Sequence, residues 1–245
     1  GRSCGCQATS MPRGEVSGGC DGGSETQCND TSATTWQDHA MGATPHDRQD
    51  QPARSAEPFR LVFVCTANRC RSPMAEHLAR RSLEKRHIPA EVCSVGRLTG
   101  GLGATPGAAE AMARRKLDLS NHVSAQLSPE VLADAHLVLV MERGHLSDVY
   151  QTLPDAIDRA FTLGEFPSLL RSNKRDPTLK SAATPLEGAR RRIVLAHQAR
   201  DPVRILVDDE SSDVADPMGR WALHYRRTAK QLANLIDVSV DGLFP

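Results

Sequence analysis

The sequence predicts an α/β fold: a four-stranded parallel sheet with helices on both faces, preceded by a disordered N-terminal tail. Three observations carry that expectation. From residue 58 onward, short apolar runs alternate with longer helical segments, the pattern of a parallel sheet covered on both faces. Before it, residues 1–57 are dominated by Gly, Ser, Thr, Asp, Gln and Pro, with almost no aliphatic periodicity. The whole chain has 245 residues, 39% hydrophobic but only 4% aromatic, so a core is available and is built mainly from aliphatic side chains.

The tail, 1–57, cannot bury enough apolar surface to offset its ordering entropy and is read as disordered low-complexity sequence. It carries eight acidic residues against four arginines, a net −4 that residues 58–245 balance to a formal net charge of zero. A neutral chain gives no case for a nucleic-acid partner. No run approaches the roughly 18 apolar residues of a membrane span, and no N-terminal apolar segment resembles a secretory signal. A cytoplasmic protein with no membrane partner is the expectation, and it is taken as a monomer. Cys4, Cys6, Cys20 and Cys28, with His39 and His46 beyond them, match no zinc spacing and read as reduced thiols on a flexible arm.

Within the domain 58–245, Arg60–Val64 is a buried strand, too short for a helix and rich in β-formers. Ser72 is placed to cap a helix over Pro73–Arg86, with proline at its first position. Glu91–Gly96 is a second strand and Pro106–Lys116 an alanine-rich helix. Ser128–Ala135 is a short helix capped by Ser128, with Glu130 in its first turn. His136–Met141 is the third strand, Gly144–Leu153 a helix and Arg159–Leu163 the fourth strand. Helices over Gly164–Ser172 and Pro185–Arg200 follow. The last helix starts near Gly219, with Leu223, Leu232, Leu235 and Ile236 along one stripe.

The first strand runs into the loop Cys65-Thr66-Ala67-Asn68-Arg69-Cys70-Arg71-Ser72 and then directly into a helix. Such a loop points backbone N–H groups at the helix N-terminus, where the helix dipole adds positive charge, and makes a cradle for a phosphate-like anion. The same field favours a thiolate at Cys65 and makes it a nucleophile. Arg71 can grip two oxygens of a phosphoryl group as a fork, which lysine cannot do. Ser72 can donate to the sulfur and ease its departure. Asn68 tolerates a left-handed backbone and can hold the loop's shape.

The run Cys65 to Pro73 resembles the phosphate-binding signature of the low-molecular-weight protein tyrosine phosphatases, Cys-x5-Arg-Ser/Thr, including its internal Asn68, Cys70 and Ser-Pro ending. "CSVGR" at 93–97, "LDLSNHVSAQL" at 117–127, "LVLVMERGH" at 137–145 and "FTLGEF" at 161–166 are similar to later segments of bacterial members. The resemblance covers about residues 59–243 and implies a phosphatase-like catalytic domain over 58–245. It implies a phosphocysteine intermediate on Cys65, without metal or cofactor, and an Asp-Pro aspartate as general acid and base. Of Asp176-Pro177, Asp201-Pro202 and Asp216-Pro217, only the last directly precedes the C-terminal helix, so Asp216 is assigned the role, with Asp213 as its nearest competitor or a supporting acidic neighbour. His122 takes a supporting place, bonding Asn68 or the loop backbone. Cys70 is either a redox partner of Cys65 or a space filler.

The substrates implied are phosphorylated proteins or small phosphomonoesters. Where family members carry an aromatic after Asp-Pro, this chain has Met218. Ala67 replaces a usual glycine, Arg69 an apolar residue and Ala125 a basic one. Without aromatic walls to sandwich a tyrosine ring, the preference for tyrosine esters is expected to be weak. Two rival readings share the loop: an arsenate reductase and a non-catalytic phosphate- or phosphoprotein-binding module. After Cys70 only Cys93 remains, too few cysteines for a thioredoxin-coupled relay.

Overall fold

The computed structural model describes residues 57–200 and 212–245. The expected tail up to residue 56, its four cysteines, Asp201-Pro202 and the "VRILV" run therefore lie outside the described residues.

Four parallel strands form one sheet in the order β2-β1-β3-β4. They are β1 (Phe59–Cys65), β2 (Ala90–Gly96), β3 (Leu137–Val140) and β4 (Ala160–Thr162). In β1, Leu61 pairs with Val92 on one side and Leu137 on the other. Alternation along β1 divides its side chains between two cores. Leu61, Phe63 and Cys65 face α1 (Arg71–Lys85), α2 (Pro106–Ala113) and the helices that follow β4, whereas Val62 and Val64 face α3 (Pro129–Ala133) and α4 (Gly144–Thr152). Helices thus cover both faces, and the α/β expectation holds.

The first core is closed by α5 (Phe166–Ser172), α6 (Pro185–Gln198) and α7 (Ala222–Leu243). α6 starts cleanly because Thr184 accepts from the Glu187 amide and Pro185 needs no donor of its own. Ala189, Ile193 and Ala196 of α6 enter the core, so the helix expected over Pro185–Arg200 is a covering helix. Among the described residues, no helix is long and apolar enough to cross a membrane.

Three local expectations are corrected. The first helix begins at Arg71, with Cys70 at the cap position and no side-chain cap, so Ser72 lies inside the first turn. Its hydroxyl is committed elsewhere, to Cys65 and Asn68. Ser128 makes no side-chain cap bond to α3. Leu223 is exposed rather than part of the α7 stripe, which runs instead through Tyr225, Leu232, Ile236 and Val240.

Candidate active site

The carboxyl end of β1 delivers Cys65 to the head of a loop that turns at once into α1. Asn68 makes the turn possible: it takes φ 51°, a left-handed conformation that asparagine reaches more easily than most residues. Its side chain fastens that conformation. Asn68 Nδ2 donates to Ser72 Oγ at 2.9 Å and to Ser94 Oγ at 2.8 Å, and Oδ1 accepts from the Ala125 amide at 2.8 Å. His122 Nε2 donates to the Asn68 carbonyl at 2.6 Å, the supporting contact expected of it. Gly96 is required beside this turn, because a Cβ there would lie 2.7 Å from the Asn68 amide nitrogen.

The hydroxyls are ordered in sequence. Ser94 donates to the buried Glu76 carboxylate at 2.6 Å, so its oxygen is free to accept from Asn68. Ser72 Oγ accepts the second Asn68 hydrogen, which leaves its own hydrogen for the Cys65 sulfur at 3.0 Å and the Val95 carbonyl at 3.4 Å. Ser72 Oγ thus sits within hydrogen-bond distance of the candidate nucleophile and carries a hydrogen that a thiolate there could accept. Glu76 is itself balanced by Arg80 Nη2 at 2.5 Å.

The two loop cysteines are not equivalent. Both are buried and free. Burial, followed by the charge of Asp216, pushes the Cys70 thiol up to about 12, so Cys70 is protonated at neutral pH and is no nucleophile there.

Arg71 is 2% exposed and makes four contacts. Nη1 pairs with Glu142 and donates to the Val214 carbonyl at 3.0 Å. Nη2 donates to Asp216 Oδ2 at 2.8 Å and to Thr66 Oγ1 at 3.3 Å. The structure thus brings together three residues the sequence singled out, Cys65, Arg71 and Asp216, and adds a second carboxylate. The fork is held by protein acceptors, so a phosphoryl group gripped by Arg71 takes over donors that Asp216 now uses.

The segment carrying Asp216 is tied down just ahead of it. Val214 N donates to the Met141 carbonyl at 2.8 Å, and Asp213 Oδ1 accepts from the Arg143 amide at 2.8 Å. Asp213 therefore anchors this segment to the end of β3. Asp216 Oδ1 accepts from the Met218 amide, a turn that leaves Oδ2 aimed at Arg71. Asp176, by contrast, caps an exposed turn through Thr178.

Arg69 donates from Nε to the Gly103 carbonyl at 2.9 Å, and its own carbonyl accepts from Thr105 at 2.8 Å. The loop and the 97–105 segment are also joined through Arg97 N to Cys65 O and Leu98 N to Thr66 O. Exposed Leu98 and Leu102 on this segment, and Met218 and Trp221 on the other, are apolar side chains on segments that reach the loop.

Sequence reasoning missed Glu142 as the partner of Arg71, and it missed His145 and the Val214 carbonyl. Glu142 and His145 follow directly after β3. In a parallel sheet, the carboxyl ends of neighbouring strands open on one edge, and that rule was the available signal.

Residues 60–194 match the family model "Low molecular weight phosphotyrosine protein phosphatase". The chain is 37% identical to a protein-arginine-phosphatase of Bacillus subtilis over 118 residues, 48% of this chain and 78% of that protein. It is similar in structure to a low molecular weight protein tyrosine phosphatase from T. tengcongensis, with TM-score 0.55 and 27% identity over 75% of this chain and 98% of that one. An arginine phosphatase bearing a phosphorylated active-site serine in place of cysteine is similar to the same extent, with TM-score 0.54 and 26% identity over 75% and 94% of the two chains.

Proposed function

The chain belongs to the low molecular weight phosphotyrosine protein phosphatase family, cysteine-dependent hydrolases, and from that premise we propose how its residues divide the work. Cys65 attacks phosphorus as a thiolate, forming an S–P bond as the ester P–O bond breaks. Asp216 gives its proton to the departing oxygen. Arg71 and the amides from Thr66 to Ser72 hold the equatorial oxygens, where charge concentrates in the transition state. Water then attacks the phosphocysteine, Asp216 takes the water's proton, and Cys65 leaves as a thiolate stabilised by the Ser72 hydroxyl. The products are the alcohol and inorganic phosphate.

One observation supports this division above the others: a guanidinium six residues from the cysteine lies 2.8 Å from a carboxylate 145 positions further along the chain. An anion-gripping group and a candidate acid thereby share one site. The catalytic domain is taken as 58–245. A monomeric, cytoplasmic enzyme is the accompanying reading; a thiolate mechanism suits a reducing compartment.

The substrate class is a phosphorylated protein side chain. Arg69 suits a phosphorylated side chain in acidic surroundings, since opposite charges promote binding. With Met218 after Asp-Pro, phosphotyrosine peptides are expected to be cleaved no faster than small aliphatic phosphates by any large margin.

The experiment is steady-state hydrolysis of p-nitrophenyl phosphate by the wild-type protein and Cys65→Ser. Turnover is expected for the first and none for the second. Turnover by both sinks the assignment of Cys65, and turnover by neither returns the chain to the binding-module reading. Arsenate-dependent thiol consumption would instead favour the reductase.

A further inference from the structure

The second loop residue carries more than an amide. Thr66 Oγ1 lies 3.1 Å from His145 Nε2 and 3.3 Å from Arg71 Nη2. The tautomer of His145 is set by its other nitrogen. Nδ1 accepts from the Glu142 amide at 3.2 Å, so the proton of the neutral ring is on Nε2 and is donated to Thr66. Arg71 can only donate. Both acceptor positions of the Thr66 hydroxyl are therefore filled, and its single hydrogen must go to a third partner.

We propose that the Thr66 hydroxyl is a further phosphoryl-binding group, a donor directed at the substrate's phosphoryl oxygens and held in that role by His145. The place supports it: the Nη2 that Thr66 touches is the one that holds Asp216, so the hydroxyl borders the site where a phosphoryl group is gripped. His145 is a positioning residue. It is 4% exposed in the first turn of α4 and hydrogen-bonds the loop at Thr66. Glu142 ties the pair to Arg71, pairing with the guanidinium while its other oxygen lies 3.8 Å from His145 Nε2. The charged groups around the ring are Glu142, Arg71, Asp148 and Arg97. Burial, aided by Arg71 and Arg97, outweighs the two carboxylates and pushes the imidazole below its ordinary value, which favours the neutral form that the hydrogen bonds require.

This inference rests on the phosphatase reading of the site and deepens it. The test compares wild type, Thr66→Val, Thr66→Ser, His145→Leu, His145→Gln and the Thr66→Val/His145→Leu double variant. The readouts are kcat and KM for p-nitrophenyl phosphate, competitive inhibition by inorganic phosphate, and thermal melting. Loss of a hydrogen bond to a charged group corresponds to roughly a tenfold weakening, so Thr66→Val is expected to raise the phosphate inhibition constant by about that factor. Thr66→Ser restores it, because the hydroxyl returns. His145→Leu reproduces the Thr66→Val effect and His145→Gln, which keeps a donor at the Nε2 position, recovers most of it. In the double variant the second change adds nothing.

Unchanged phosphate inhibition in Thr66→Val, with only a shift in melting, overturns the proposal and leaves Thr66 a packing residue. Additive losses in the double variant overturn the link to His145. Absence of turnover in wild type refutes the phosphatase reading itself, a separate outcome. Should Thr66→Val not fold, the His145→Leu and His145→Gln pair decides alone: equal phosphate inhibition in the two contradicts the proposal.

Discussion

Arg71→Lys is expected to lower kcat/KM for p-nitrophenyl phosphate on the order of a thousandfold, the loss measured when a donor to developing negative charge is removed. The charge survives this substitution, and the geometry does not. Two terminal nitrogens serve four acceptors here: Glu142, the Val214 carbonyl, Asp216 and the Thr66 hydroxyl. A lysine ammonium is one point on a shorter reach and cannot present a planar fork to two phosphoryl oxygens. Arg71 is also buried at 2% exposure, so the change strands the Val214 carbonyl and leaves Glu142 without its bidentate-capable partner. The melting temperature falls as well. The two effects separate under titration with inorganic phosphate: loss of the grip weakens phosphate binding in whatever fraction of the protein remains folded. Retention of kcat/KM to within about tenfold would show that charge alone suffices and that the fork is not what binds the anion.

Asp216→Ala is expected to lower kcat by about 10²–10⁴, the range for a positioned general acid or base. The size should depend on the leaving group. A nitrophenolate departs with little help, whereas an alkoxide needs a proton, so the deficit grows from p-nitrophenyl phosphate to an aliphatic phosphate. Loss of the base in the second step slows hydrolysis of the phosphocysteine for every substrate alike. Asp213→Ala is the contrasting variant. The Asp213 carboxylate accepts from the Arg143 amide, so removing that acceptor loosens the 213–216 segment and lowers stability more than it changes the dependence on leaving group. Equal leaving-group dependence in Asp216→Ala and wild type would remove Asp216 from the acid's role and return attention to Asp213.

What the sequence made legible follows chain distance. The anion cradle was readable because Cys65, Asn68, Arg71 and Ser72 are contiguous, and a strand, a loop and a helix start need only local pattern to be recognised. Asn68 was read as a left-handed turn residue and has φ 51°. The strands were readable for the same reason, each within a residue or two of its end. The helix start was not: Ser72-Pro73 has the chemistry of a cap and first turn, but tertiary partners claim the serine hydroxyl, and the helix begins at Arg71. The partners of Arg71 were hidden by separation, 71 residues to Glu142 and 143 to Val214, distances across which a single sequence carries no pairing information. Glu142 was noticed only as part of a resemblance, and His145 stood unremarked in the same stretch. Both become functional candidates once the sheet order puts the end of β3 beside the end of β1.

Leu223 gives the converse lesson. It sits near the start of a helix in phase with other leucines, yet it is exposed, because the core reaches α7 only from Tyr225 onward. Periodicity describes a face, and the neighbouring elements decide where along the helix that face is covered.

The central claim is that Cys65 carries the phosphoryl group between the two half-reactions. The direct measurement is mass spectrometry of Asp216→Ala quenched in acid during turnover of p-nitrophenyl phosphate, with the loop peptide sequenced. The expected result is a single added phosphoryl group on Cys65, accompanied by a burst of nitrophenolate stoichiometric with enzyme. Turnover with no phosphorylated Cys65 peptide and no burst, or a phosphoryl group located on another residue, would contradict it.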